Sequence, residues 1–198
     1  MDTALRKDLT KRIQKVSKKL DEVMLSPYQS HFREETNNNI PSIELKQLLS
    51  HWKNRDAAEY VLKLIRTFGI PHTLNRYEAC WYDSIGNFCE VVVKDESVSH
   101  EVPVPHVDFC YATMKIEVPV DKVGVLAYVS ESIFVDRLKK EVTARCAMLI
   151  KNAITLQLVQ EVATDELNQD EAMSEYTKRI KNNMKPFWFD DRIGESEA

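Results

Sequence analysis

Cys110-Tyr111-Ala112-Thr113-Met114-Lys115-Ile116-Glu117-Val118 is the stretch whose reading decides the fold. Cys110, Ala112, Met114, Ile116 and Val118 alternate with Tyr111, Thr113, Lys115 and Glu117. Successive strand side chains point to opposite faces, so this period of two predicts a half-buried β-strand. Upstream, Tyr77 to Tyr82 and Phe88 to Val93 flank Asp83-Ser84-Ile85-Gly86-Asn87. That pattern predicts a β-hairpin, with Gly86 or Asn87 supplying positive φ. Between hairpin and strand, Glu101-Val102-Pro103-Val104-Pro105 is a loop or a sheet edge, because each proline removes a ladder donor.

The period lengthens to helical spacing on both sides of this β region. Leu5, Leu9, Ile13, Val16, Leu20 and Val23 form one apolar stripe of coiled-coil spacing before Ser26-Pro27. Leu45, Leu48, Leu49 and Trp52 predict a second helix after a Ser42 cap. Ala57, Tyr60, Val61, Leu64 and Ile65 predict a third, closed by Gly69. Val120 to Val129 reads equally as a short strand or as a helical turn capped by Asp121. From Ser132 to Ala163 the expectation is one long helix, apolar on most sides. Phe134, Leu138, Val142, Cys146, Leu149, Ile150, Ala153, Ile154, Leu158 and Val162 carry it. A shorter helix from Asp165 passes through Leu167, Ala172, Tyr176 and Ile180.

Helices, then antiparallel strands, then helices predict an α+β fold. The expectation is a helical N-terminal part, a central antiparallel sheet of about three or four strands, a long buried C-terminal helix and a final shorter helix. Residues 1–25 would be an amphipathic basic helix, either an arm or packed; 26–189 a single α+β domain; 190–198 an acidic tail.

Composition removes whole classes of function. The chain has 198 residues, a formal charge of −4 and only 4 glycines, Gly69, Gly86, Gly124 and Gly194. Their wide spacing excludes Rossmann, P-loop and nucleophile-elbow motifs, which need clustered glycine for close backbone approach or sharp turns. No cofactor motif is present. The longest run free of Asp, Glu, Lys and Arg is Val23–Phe32, ten residues. A membrane-spanning helix needs about 20 mostly apolar ones, so no membrane partner is expected. The N-terminus is charged and lacks an apolar signal region. Cys80, Cys89, Cys110 and Cys146 form no Cys-x-x-Cys, which suggests buried thiols in a reducing, cytoplasmic compartment.

Four groups of residues could carry function. His106, Asp108 and Cys110 stand at i, i+2 and i+4 of one strand and would share a face, with Asp108 orienting His106 as in a Cys/His hydrolase. Positions i and i+4 are roughly 13 Å apart, so Cys110 cannot attack in concert with His106 within that strand. Cys89 or Cys80 would have to complete such a site. Cys80, Cys89, His100 and His106 are candidate zinc ligands, though without the close ligand pairs that structural zinc sites favour. Lys11, Arg12, Lys15, Lys18 and Lys19 could neutralise nucleic-acid phosphates. Leu9, Ile13, Val16, Leu20 and Val23, with Phe187, Trp188 and Phe189, could dock on a partner or on the chain's own core.

Charge is unevenly spread. Glu161, Asp165, Glu166, Asp170, Glu171 and Glu175 oppose the basic N-terminal stretch, so either two subunits or two parts of one chain could pair. The leading expectation is a non-enzymatic structural or protein-interaction subunit of a larger assembly, such as a virus-particle component, by protein partnership or self-association. A nucleic-acid-binding accessory protein and a small Cys/His hydrolase are the alternatives.

Overall fold

The computed structural model describes residues 43–189 and Arg192, all within one compact unit, Ile40–Ala198. The amphipathic basic helix expected at 1–25, with its apolar stripe and its lysines, and most of the 190–198 tail lie outside the described residues.

Two helices come first, α1 (Ile43–Leu49) and α2 (Arg55–Phe68). The Asn54 side chain caps α2 by accepting from the Ala57 N–H at 3.1 Å. Gly69 ends α2 at φ 85°, a backbone that only glycine adopts without strain. Then follow β1 (Thr73–Leu74), β2 (Glu78–Ile85), β3 (Phe88–His100) and β4 (His106–Lys115). A 3₁₀ turn (Val120–Lys122) leads into α3 (Val123–Val129), which settles the ambiguous segment as helical. After it come β5 (Ile133–Asp136), β6 (Glu141–Cys146), α4 (Leu149–Ala163) and α5 (Gln169–Lys181). The fold is α+β, a six-stranded antiparallel sheet in the order β1-β2-β3-β4-β6-β5.

Two sequence expectations are corrected. The single helix over 132–163 is instead the β5–β6 hairpin followed by α4. Phe134, Leu138, Val142 and Cys146 step by four, and four is also an even number, so they fit a strand as well as a helix. Burial shows the strand period along β6, where Val142, Ala144 and Cys146 are buried and Glu141, Thr143 and Arg145 are not. Leu138 sits in the turn, 98% exposed, and Asp136 accepts the Lys139 N–H there at 3.0 Å. That hairpin, with the short β1, raises the strand count to six. The last helix starts after Asn168 rather than at Asp165. Asn168 and Glu171 form a reciprocal capping box, while Asp165 takes φ 62° in the preceding turn.

Register separates the sheet into two chemically different faces. Trp81, Val91, Ala112, Ala144 and Ile133 form one transverse row, all buried. The next row is Ala79, Val93, Cys110 and Cys146. These rows meet α2 and α4. Tyr82, Glu90, Thr113, Thr143 and Phe134 form a row on the opposite face. Beside it run Cys80, Val92, Tyr111 and Arg145. α4 lies between the sheet and α5, which explains why it is apolar nearly all round.

His72 fastens the β1 side of the sheet. Its Nδ1 accepts the Tyr82 N–H at 3.1 Å, and burial lowers its pKa below the ordinary 6.5, with the Asp83 carboxylate pulling the other way. Protonation would break this bond. The stabilisation is therefore complete above 6.5 and is lost as pH falls through the lowered value. NMR titration of the His72 ring should give a midpoint below 6.5; a midpoint at or above it would contradict this role.

Candidate functional site

The polar cluster at the far end of β3 and β4 exists because of a large bulge. Val93 lies opposite Cys110, and the next pair is Val98 with Asp108, so residues 94–97 stand against Phe109 alone. Asn54 holds the bulge: its N–H donates to Asp95 Oδ1 at 2.7 Å and its Nδ2 to the Glu96 carbonyl at 2.6 Å. The irregularity exchanges the two faces of β4. Phe109 packs edge-on to Tyr60 of α2 at 5.9 Å, and Cys110 lies beneath Asn152 of α4. Two consecutive residues thus face helices, and Asp108 turns to the side that carries Arg145.

Asp108 is wholly buried. Its Oδ2 accepts from Ser132 Oγ at 3.1 Å and from Arg145 Nε at 3.3 Å. Its Oδ1 is 2.9 Å from His106 Nε2, yet the alignment is too poor for a hydrogen bond, and Oδ1 has no donor. His106 Nδ1 lies 2.7 Å from the Val104 carbonyl, an acceptor, so Nδ1 carries a proton. His100 stands directly across from His106 in the register, with ring centroids 5.0 Å apart. Its Nδ1 is 3.3 Å from Ser132 Oγ and 3.6 Å from Asp108 Oδ2. Burial lowers the His100 pKa, and Asp108 opposes that shift. The donor atoms of His100, His106 and Asp108 all lie within 4.8 Å of one another.

This cluster overlaps the sequence candidates and rearranges them. His106 and Asp108 meet, but Cys110 does not share their face: it is fully buried on the helix side. The Cys/His hydrolase arrangement is therefore not assembled. The four-ligand zinc set is not assembled either. Cys80 lies across from Val92 rather than Cys89, and Cys89 Sγ donates to the Thr113 carbonyl at 3.3 Å. Among the described residues, the ligand cluster contains the two histidines and Asp108 without either cysteine. Burial pushes the Cys80 and Cys146 thiols up to about 11, which leaves them poor nucleophiles at neutral pH. Nor do Ser132, His100 and Asp108 form a catalytic relay. Ser132 donates to Asp108 itself and is only 2% exposed.

Ser132 and Arg145 were not legible as site residues, because the segment containing them read as helix. The signal that could have found Arg145 is its place between Ala144 and Cys146 in a period of two.

Elsewhere, Trp188 Nε1 donates to Gln157 and its ring meets Phe88 edge-on at 6.0 Å. Phe189 is buried, and Phe187 alone of the three points outward, 96% exposed. Three of the six acidic residues of the C-terminal part form ion pairs within the chain. Glu161 pairs with Arg179 at 2.7 Å, Glu175 with Lys178 and Arg179, and Asp165 with Lys122. An open groove of about 380 Å³ runs between α2 and the end of β4, beside Tyr60, Lys63, Val107 and Phe109. It includes none of the His–His–Asp cluster.

Among the described residues, no helix is long and apolar enough to cross a membrane. Compared with protein-family models, curated proteins and solved structures, the chain gives no match.

Proposed function

We propose that this chain is a non-enzymatic protein-interaction subunit that assembles with further copies of itself through the sheet face opposite α2 and α4. The observation that carries this reading is the composition of that face. Tyr82 is 45% exposed and Phe134 44% exposed, at the two ends of one row. Tyr111 lies between them in the neighbouring row, with Lys94 Nζ 4.4 Å above its ring centroid and Arg145 at 6.0 Å. Aromatic and arginine side chains are the residues that interface cores favour. Glu90 and Lys94 put both signs of charge on the same face, which suits a two-fold contact in which one patch meets its own copy. The polar cluster is compatible with this reading, since its Ser132 hydroxyl and Asp108 carboxylate are buried and hydrogen-bonded to each other. Four reduced thiols fit a reducing compartment.

Light scattering coupled to size exclusion tests this on the full chain. The expected mass is a multiple of 23.0 kDa. The double substitution Tyr82→Glu and Phe134→Glu should return it to one chain with unchanged circular dichroism. A 23.0 kDa species at every salt and protein concentration overturns the proposal.

A further inference from the structure

The geometry points to a divalent transition-metal site at His100, His106 and Asp108, with zinc the ion that best suits two imidazoles and a carboxylate. The inference starts from proton placement. In the neutral imidazole, the proton on His106 Nδ1 faces the Val104 carbonyl, so Nε2 presents a lone pair. That lone pair looks at Asp108 Oδ1 from 2.9 Å, and Oδ1 is buried without a donor. Two acceptors at this separation repel unless a cation lies between them. An aligned N–H···O bond would satisfy Oδ1, and the structure has none there. A metal ion at about 2.0–2.1 Å from each ligand sets tetrahedral donors roughly 3.3–3.4 Å apart, so the 2.9 Å contact opens by a few tenths of an ångström when the ion enters.

The surrounding groups are placed as outer partners of a metal site. The Val104 carbonyl fixes the His106 tautomer, while Ser132 and Arg145 hold Oδ2 and leave Oδ1 for the ion. The cluster is reachable, since the His100 and His106 side chains keep 10% and 18% of their surface in contact with solvent. Three protein ligands leave one position for water or for an outside donor. The Arg145 charge lowers the affinity, so the ion exchanges rather than staying locked in the fold.

Calorimetric titration of the metal-free full chain with zinc chloride decides the matter. One ion per chain is expected, with a rise in Tm on adding zinc. His106→Gln should abolish stoichiometric binding, and Ser132→Ala should weaken it about 10–100-fold by loosening the carboxylate. The pair Cys80→Ser with Cys89→Ser should leave it unchanged. Failure of the wild-type chain to bind zinc or to gain Tm overturns the site. Binding that survives His106→Gln and disappears in the cysteine pair also overturns it. Circular dichroism of each variant separates lost binding from lost fold.

Discussion

Replacing Asp108 with alanine should lower stability by about 3 kcal/mol or more, measured by urea unfolding in the presence of a chelator. Breaking a buried ion pair by removing one member costs roughly 3–5 kcal/mol, because the remaining partners lose their compensation. Here the stranded groups are Arg145, with 18% of its side chain exposed, and the buried Ser132 hydroxyl. The partial exposure of Arg145 places the expectation at the lower end of that range. Asp108→Asn keeps an oxygen for Ser132 and Arg145 and preserves volume, so about 1–2 kcal/mol is expected. A loss below about 1 kcal/mol for the alanine variant would mean that Arg145 and Ser132 reach water without it. Because the chelator removes any bound ion, this result speaks to the fold independently of the metal site.

The sequence disclosed those parts of the fold whose period is unambiguous. The strand from Cys110 and the hairpin around Gly86 have an alternation that no helix shares; the hairpin is present, and the strand runs from His106 and ends at Lys115, short of the expected Val118. Over 132–146 the period is ambiguous for a specific reason, namely that the apolar residues repeat every four positions. What distinguished strand from helix there was the solvent-facing set, Thr143 and Arg145, and the exposed Leu138 at the turn. The ambiguity extends to the site. A helix over that segment places neither Ser132 nor Arg145 near Asp108, whereas the His106–Asp108 pair is legible from its spacing alone. The bulge at 94–97 was equally hidden. It depends on Asn54, more than forty residues earlier, whose capping role is local but whose second contact, to Glu96, is not. The face exchange that separates Cys110 from Asp108 follows from that long-range contact, so alternation alone was bound to put them together.

Trp81→Ala should be the other large loss, about 3–5 kcal/mol. Trp81 is 1% exposed and begins the buried row that runs through Val91, Ala112 and Ala144. Its Nε1 also donates to the Gly69 carbonyl at 3.0 Å, tying β2 to the end of α2. Gly69 holds φ 85°, so the direction of that carbonyl is fixed by a backbone conformation rather than by a mobile side chain. Two effects are therefore lost together, the volume of the indole and the donor for a half-buried acceptor. Trp81→Phe separates them: the ring is largely replaced, the donor is not, and about 1–3 kcal/mol should disappear. For a domain of this size, each kcal/mol shifts Tm by about 2–4 °C, so the alanine variant should melt roughly 6–20 °C below the wild type. If the two variants lose equal stability, the hydrogen bond to Gly69 rather than core filling joins β2 to α2. If alanine costs less than about 1.5 kcal/mol, the row collapses around the cavity far more readily than close-packed cores do.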